Sequence, residues 1–147
     1  MFTVADMMTP NPHTLSTHHT LSDANQLMER AEIRHIPIVD EQQQLCAILS
    51  QRDILAAQHS HLIESGDQRQ LLQQTPLLKV AKMKYMSVNS QASLKEAALY
   101  MQQHRIGCLP VVDNDQLLGI ITDTDFVAIA INLLEIQEEN EPMKYDD

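Results

Sequence analysis

Two short stretches of this chain carry residues that can do chemistry. Ser50-Gln51-Arg52-Asp53 and Thr122-Asp123-Thr124-Asp125 each follow an apolar run and open a helical pattern. At such a junction free backbone amides and the positive end of the helix dipole converge, which suits a phosphate or a hydroxyl. Three residues on, Asp53 and Asp125 supply a carboxylate that can accept both hydroxyls of a ribose cis-diol. The same stretches are also capping boxes, in which a hydroxyl at the N-cap and a carboxylate at N3 need no ligand. The two roles coexist if the hydroxyl caps while the carboxylate turns outward.

Other reactive side chains point to less. His18-His19 and His59-x-His61 lack a Cys or carboxylate cluster to complete a metal site, so they are expected as surface histidines. Cys46 and Cys108 form neither a metal-ligand spacing nor a disulfide framework. Cys108 would be a nucleophile only with a base beside it, and is expected as a small apolar filler. No catalytic residue and no required cofactor is expected.

The elements that must position these residues come in duplicate. At an offset of 73, Leu21, Ala24, Met28, Ile33, Pro37, Val39 and Asp40 fall on identical residues from Leu94 to Asp113. Beyond a turn that is one residue shorter in the second copy, the offset becomes 72, pairing Leu45, Ile48, Asp53 and Ala56 with Leu117, Ile120, Asp125 and Ala128. A gap at a turn is what a loop tolerates, so the chain reads as repeats at 1–58 and 77–134, a polar connector at 59–76 and an acidic tail at 135–147. In each repeat a short strand (Thr14-Leu15-Ser16, Ser87-Val88-Asn89) leads to a capped helix starting at Leu21 or Leu94. Two apolar runs joined by a polar turn follow, then a last helix. The order is β-α-β-β-α used twice, an α/β design whose repeats pack sheet to sheet about a pseudo-twofold axis.

Charge narrows the partners. Ten Lys and Arg against twenty Asp and Glu give a formal charge of −10 over 147 residues, of which residues 135–147 carry −5. That balance argues against a nucleic-acid polymer or an anionic membrane as partner. The first residues lack a signal-peptide pattern and no apolar run approaches a bilayer span, so a cytoplasmic protein is expected.

Met8-Thr9-Pro10, Ile36-Pro37-Ile38-Val39-Asp40 and Ala47-Ile48-Leu49-Ser50-Gln51-Arg52-Asp53 resemble a CBS domain, the cystathionine β-synthase type. Leu109-Pro110-Val111-Val112-Asp113 and Gly119-Ile120-Ile121-Thr122-Asp123-Thr124-Asp125 carry the pattern again. The whole resembles a stand-alone CBS pair, or Bateman module. That resemblance implies a non-catalytic sensor of an adenosine-containing ligand: AMP, ADP, ATP, NAD or S-adenosylmethionine. It implies that Asp53 and Asp125 grip ribose, that Ser50 and Thr122 reach ribose or phosphate, and that Thr14, Leu15, Ser87, Val88, Ile36 and Leu109 face adenine. The repeats are unequal. Arg34 and Arg52 can neutralise phosphates in repeat 1, whereas repeat 2 has Gly107 and Thr124 there and an extra carboxylate at Asp123. Repeat 1 departs from the pattern at Ala47, which stands where repeat 2 has Gly119.

The last helix is apolar all round from Phe126 to Leu134 except at Asn132. A helix of that kind must be covered on several sides, so it is expected, with Ile54 and Leu55, to form a homodimer interface. Ligand binding would then shift the dimer geometry read by an effector protein. The rival expectation is a ligand-free structural module in which both Ser/Thr…Asp pairs are only caps.

Overall fold

The computed structural model describes residues 1–61 and 67–141. The chain opens with α1 (Val4–Met7) and β1 (Thr9–Pro10), followed by β2 (Leu15–Ser16), α2 (Leu21–Ala31), β3 (His35–Val39), β4 (Leu45–Ser50) and α3 (Gln51–His61). After α4 (Gln68–Gln74) and a 3-10 turn at Leu77–Lys79 come α5 (Leu94–His104), β5 (Cys108–Asp113), β6 (Gln116–Thr122) and α6 (Asp123–Asn140).

The caps read from the sequence are made. Thr20 Oγ1 accepts from the Asp23 amide at 3.3 Å while the Thr20 amide donates to Asp23 Oδ2 at 2.9 Å. Ser93 Oγ accepts from the Glu96 amide at 3.3 Å. Both helices also end alike, with Glu32 and Arg105 in the left-handed conformation at φ 56° and 53°. A turn of that kind releases the chain directly into β3 and β5.

The two halves are matched but cross-stitched. One sheet has the order β2-β3-β4, with β2 parallel and β4 antiparallel to β3; the other has the order β1-β6-β5, antiparallel throughout. The expected strand at Ser87-Val88-Asn89 is reduced to one parallel bridge, Val88 to Val111. The N-terminal strand β1 therefore joins the sheet of the second repeat, pairing Thr9 with Ile120 and Pro10 with Gly119. The reciprocal strand comes from the start of the second repeat: Lys82 bridges Ile48 of β4, with two backbone hydrogen bonds of 2.8 and 3.0 Å.

The cores follow the same exchange. Leu21, Ala24, Met28, Ile36, Ile38 and Leu49 form one cluster, which Leu77 and Ala81 complete. Leu94, Ala97, Met101, Leu109, Val111 and Ile121 form the other, which Val4 completes. Val4 and Leu77 are wholly buried, and fully burying such a side chain is worth roughly 1.5–3 kcal/mol. Residues 1–12 thus belong physically to the second half, although the sequence repeat assigns them to the first.

Gly119 marks where this exchange is tightest. A Cβ there would lie 2.7 Å from both Met8 Sδ and the Thr9 carbonyl oxygen. The glycine leaves room for β1. In the first half the corresponding residues are Ala47 and Ala81, both buried in one cluster. The small residue and the methionine have been traded for two alanines, which accounts for the departure at Ala47.

The acidic segment and Ile54 differ from the sequence reading: Ile54, expected with Leu55 at a dimer interface, is buried in the first core. Helix α6 runs on through Glu135, Glu138 and Glu139 to Asn140, so the acidic segment begins as helix; residues 142–147 lie outside the described residues. The apolar side chains of α6 are not covered within the chain. Val127, Ile131, Leu133, Leu134 and Ile136 are each more than half exposed, as is Leu55 on α3. Only Phe126 and Ile129 pack onto the second core.

Candidate functional site

Each candidate carboxylate stands in the first turn of a helix, immediately after a strand. The Asp53 amide donates to Ser50 Oγ at 3.1 Å and the Ser50 amide to Asp53 Oδ2 at 3.4 Å. In the second half the Asp125 amide donates to Thr122 Oγ1 at 3.2 Å and the Thr122 amide to Asp125 Oδ2 at 2.9 Å. Both pairs cap their helices, and the caps leave the second carboxylate oxygen of each aspartate turned away.

What meets that second oxygen comes from the exchanged segments. Lys82 Nζ lies 3.7 Å from Asp53 Oδ1. Thr9 Oγ1 donates to Asp125 Oδ1 at 2.9 Å. Thr9 and Lys82 are related by the same offset of 73 as the repeats, so a pseudo-twofold position is filled by a cation on one side and a hydroxyl on the other.

Each carboxylate opens on a cleft. Cleft 1, of about 1040 Å³, is lined by Asp53 and Ser50 and by five cationic side chains: Arg34, Arg52, Lys82, Lys84 and Arg105. Asp123 is the other carboxylate on its wall, and Met83, Tyr85 and Met86 give it an apolar side. The Tyr85 hydroxyl donates to the Leu45 carbonyl at 2.9 Å, which fixes the ring. Cleft 2 is smaller, about 310 Å³, and holds Thr122 and Asp125. Its charges run the other way, with Arg34 against Glu32, Asp123 and Asp125.

The structure brings Arg34, Ser50, Arg52, Asp53 and Pro110 to the wall of cleft 1, and Arg34, Thr122 and Asp125 to cleft 2. Ile36, Pro37 and Leu109 are fully buried instead, and their side chains serve the core. Side chains alternate along a strand, so His35 and Cys108, one step earlier, face the clefts where Ile36 and Leu109 were expected. Thr14, Leu15, Ser87 and Val88 line neither cleft. Leu15 and Val88 pack onto the first and second cores respectively. The lining comes from just upstream, from Asn11-Pro12-His13 in cleft 2 and Met83-Lys84-Tyr85-Met86 in cleft 1.

His35, which lines both clefts, and Cys108, which lines cleft 1, are both pushed toward their neutral forms. Burial lowers the His35 imidazole pKa from its ordinary 6.5, against the opposing pull of Asp123. Burial, aided by Asp123 and Asp125, pushes the Cys108 thiol up to about 12, so it is no nucleophile at neutral pH. Among the described residues no group of three His, Cys, Asp or Glu side chains could hold a metal ion; the His61 side chain lies outside the described residues. No helix of the described residues is long and apolar enough to cross a membrane.

Comparison with known proteins identifies the family and the fold. A family model described as CBS domain matches residues 4–60 and 79–132. CBS domain-containing protein YhcV of Bacillus subtilis is 35% identical over 132 residues, covering 90% of this chain and 86% of the relative. The crystal structure of a protein assigned to acetoin utilization (AcuB) from Vibrio cholerae superposes with a TM-score of 0.82 at 58% identity, covering 97% of this chain and 99% of that one. The structure of CBSX2 in complex with AMP superposes with a TM-score of 0.77 at 25% identity, over 91% of this chain and 99% of that one. Relatives named as enzymes are matched over a small part of their length. An inosine-5'-monophosphate dehydrogenase from Halalkalibacterium halodurans, 34% identical over 117 residues, is covered to 21%.

Proposed function

The chain belongs to the CBS domain family, and from that premise we propose that it is a non-catalytic regulatory module. It takes an anionic adenosine nucleotide in cleft 1, acts as a homodimer, and signals in the cytoplasm through dimer geometry to an effector protein. One observation carries the reading: a chain of net charge −10 gathers five cations around a cleft that also presents the Asp53 carboxylate. Such a cleft offers a carboxylate to a ribose diol and a cationic wall to the phosphates beyond it. The AMP complex of CBSX2 supports the ligand class. The exposed apolar side chains of Leu55, Val127, Ile131 and Leu134 support a second copy as the cover for α6.

Cleft 2 favours a different role for its carboxylate. Asp125 Oδ2 accepts from the Thr122 amide and Oδ1 from the Thr9 hydroxyl, so both oxygens already have partners inside the chain. Thr122 and Asp125 act first as a structural cap, and a ligand in cleft 2 must displace Thr9.

Calorimetry with AMP, ADP, ATP, NAD and S-adenosylmethionine tests the proposal. The nucleotides are expected to bind with an affinity that rises with phosphate charge, and Asp53→Ala is expected to weaken them at least about tenfold, the loss of a charged hydrogen-bond acceptor. No binding by any of the five, or unchanged affinity in Asp53→Ala, would overturn it.

A further inference from the structure

The two clefts share a wall. Arg34 and Asp123 each line both clefts, and Arg34 Nη2 lies 3.7 Å from Asp123 Oδ1. This ion pair breaks the pseudo-twofold. The residues related to Arg34 and Asp123 by the repeat offsets are Gly107 and Gln51, which form no ion pair. The backbone around them is symmetric all the same: the Gln51 amide donates to the Arg34 carbonyl at 2.9 Å and the Asp123 amide to the Gly107 carbonyl at 3.0 Å. Gly107 also has no room for a side chain beside the pair, because a Cβ there would lie 3.1 Å from Asp123 Oδ2.

We infer that the Arg34–Asp123 pair couples the clefts, so that an anion bound in cleft 1 changes what cleft 2 accepts. Resting on the ligand class proposed above for cleft 1, the chain of effects is electrostatic. A phosphate in cleft 1 competes with Asp123 for the Arg34 guanidinium, which binds phosphate in a bidentate fork. The released Asp123 carboxylate then faces cleft 2 beside Glu32 and Asp125, with the local cation withdrawn. A second anion is thereby disfavoured in cleft 2 and a cationic adenosine compound favoured. Linkage is reciprocal, so a cation in cleft 2 that engages Asp123 frees Arg34 for cleft 1. Both side chains are more than half exposed, and exposed pairs couple weakly, so the effect is about two- to fivefold in affinity.

The test uses the full chain, labelled with ¹³C, in two arms. Inorganic pyrophosphate, which needs no adenosine site, is titrated while the Asp123 carboxyl resonance is followed. That resonance is expected to move in the native chain and to stay fixed in Arg34→Gln. In the second arm the affinity of S-adenosylmethionine is measured with and without saturating ADP. ADP is expected to tighten it about two- to fivefold, and the factor is expected to fall to one in Arg34→Gln and in Asp123→Asn. A factor of one in the native chain, or an unchanged factor in both variants, overturns the coupling while leaving the nucleotide site standing. If neither adenosine compound binds, the proposed function fails. The pyrophosphate arm then decides alone, and an unmoved Asp123 resonance overturns the coupling.

Discussion

The Thr9 hydroxyl reaches Asp125 Oδ1 at 2.9 Å from 116 positions away in the chain, and it closes the carboxylate that its counterpart Lys82 leaves open at Asp53. A hydroxyl satisfies an oxygen by direct contact. A lysine at 3.7 Å supplies charge without filling the oxygen's hydrogen-bonding capacity. One substitution between duplicated segments thus separates a poised site from a plugged one.

Replacing that hydroxyl should unplug the second site. Thr9→Val is expected to cost about 0.5–1.5 kcal/mol of stability, the net worth of one hydrogen bond, and to tighten the binding of S-adenosylmethionine in cleft 2. Calorimetry on the variant and the native chain compares the two affinities. A variant that binds no more tightly than the native chain would show that Thr9 does not guard Asp125.

The exchange of segments makes its own prediction. Gly119→Ala places a methyl against the Thr9 carbonyl and Met8 Sδ, and overpacking of this kind costs about 1–3 kcal/mol. For a chain of this size that is a fall in melting temperature of about 2–4 °C per kcal/mol. Adding Met8→Ala relieves the sulfur contact but not the carbonyl one, so thermal denaturation of the double variant should recover only part of the loss.

How much of this was legible in the residues themselves depends on whether a feature is local. The capping boxes at Thr20 and Thr122 are written within four residues each and appear in full, while at Ser93 only the hydroxyl half is made, from the Glu96 amide. The apolar runs of β3 to β6 declare themselves by composition, as do the turns between them. Lys82 and Lys84 were missed for a different reason. Nothing near them in sequence marks a site; their role exists only because the segment before Ser87 crosses to the other half. The repeat offset held a usable signal, since it places Lys82 and Lys84 on Thr9 and Asn11, at the edge of the Met8-Thr9-Pro10 motif. The choice of Ile36 and Leu109 over His35 and Cys108 missed by one residue, and on a strand one residue is a change of face.

The uncovered face of α6 sets a test of assembly. Ile131→Asp places a charge among Val127, Leu134 and Leu55, and it is expected to reduce the mass in solution from twice 16.7 kDa to 16.7 kDa. Light scattering at micromolar concentration measures this directly. A native chain that already runs as a monomer would remove the dimer from the proposed mechanism.

Acid should weaken the fold through His35. Its folded pKa is lowered by burial, so below the ordinary value of 6.5 the unfolded chain takes up the proton first. The stability tied to neutral His35 is therefore full above pH 6.5 and is lost as pH falls from there toward the folded pKa. Urea denaturation at intervals between pH 8 and 5 should show this slope in the native chain and a flatter one in His35→Gln. Equal slopes would place the acid sensitivity between pH 8 and 5 at a group other than His35.

The crossing of residues 1–12 and 77–82 into opposite halves also bears on what one half could do by itself. A single repeat folding alone would leave its own first segment without a sheet and its core without the equivalent of Val4 or Leu77. Two separate copies, each lending that segment to the other, would build both halves complete, which is a domain-swapped dimer. The present chain has the connectivity that such a dimer would have if its two copies were joined by a peptide linkage. Within one chain the two borrowed segments need not be identical, and here one position is Thr9 and the other Lys82.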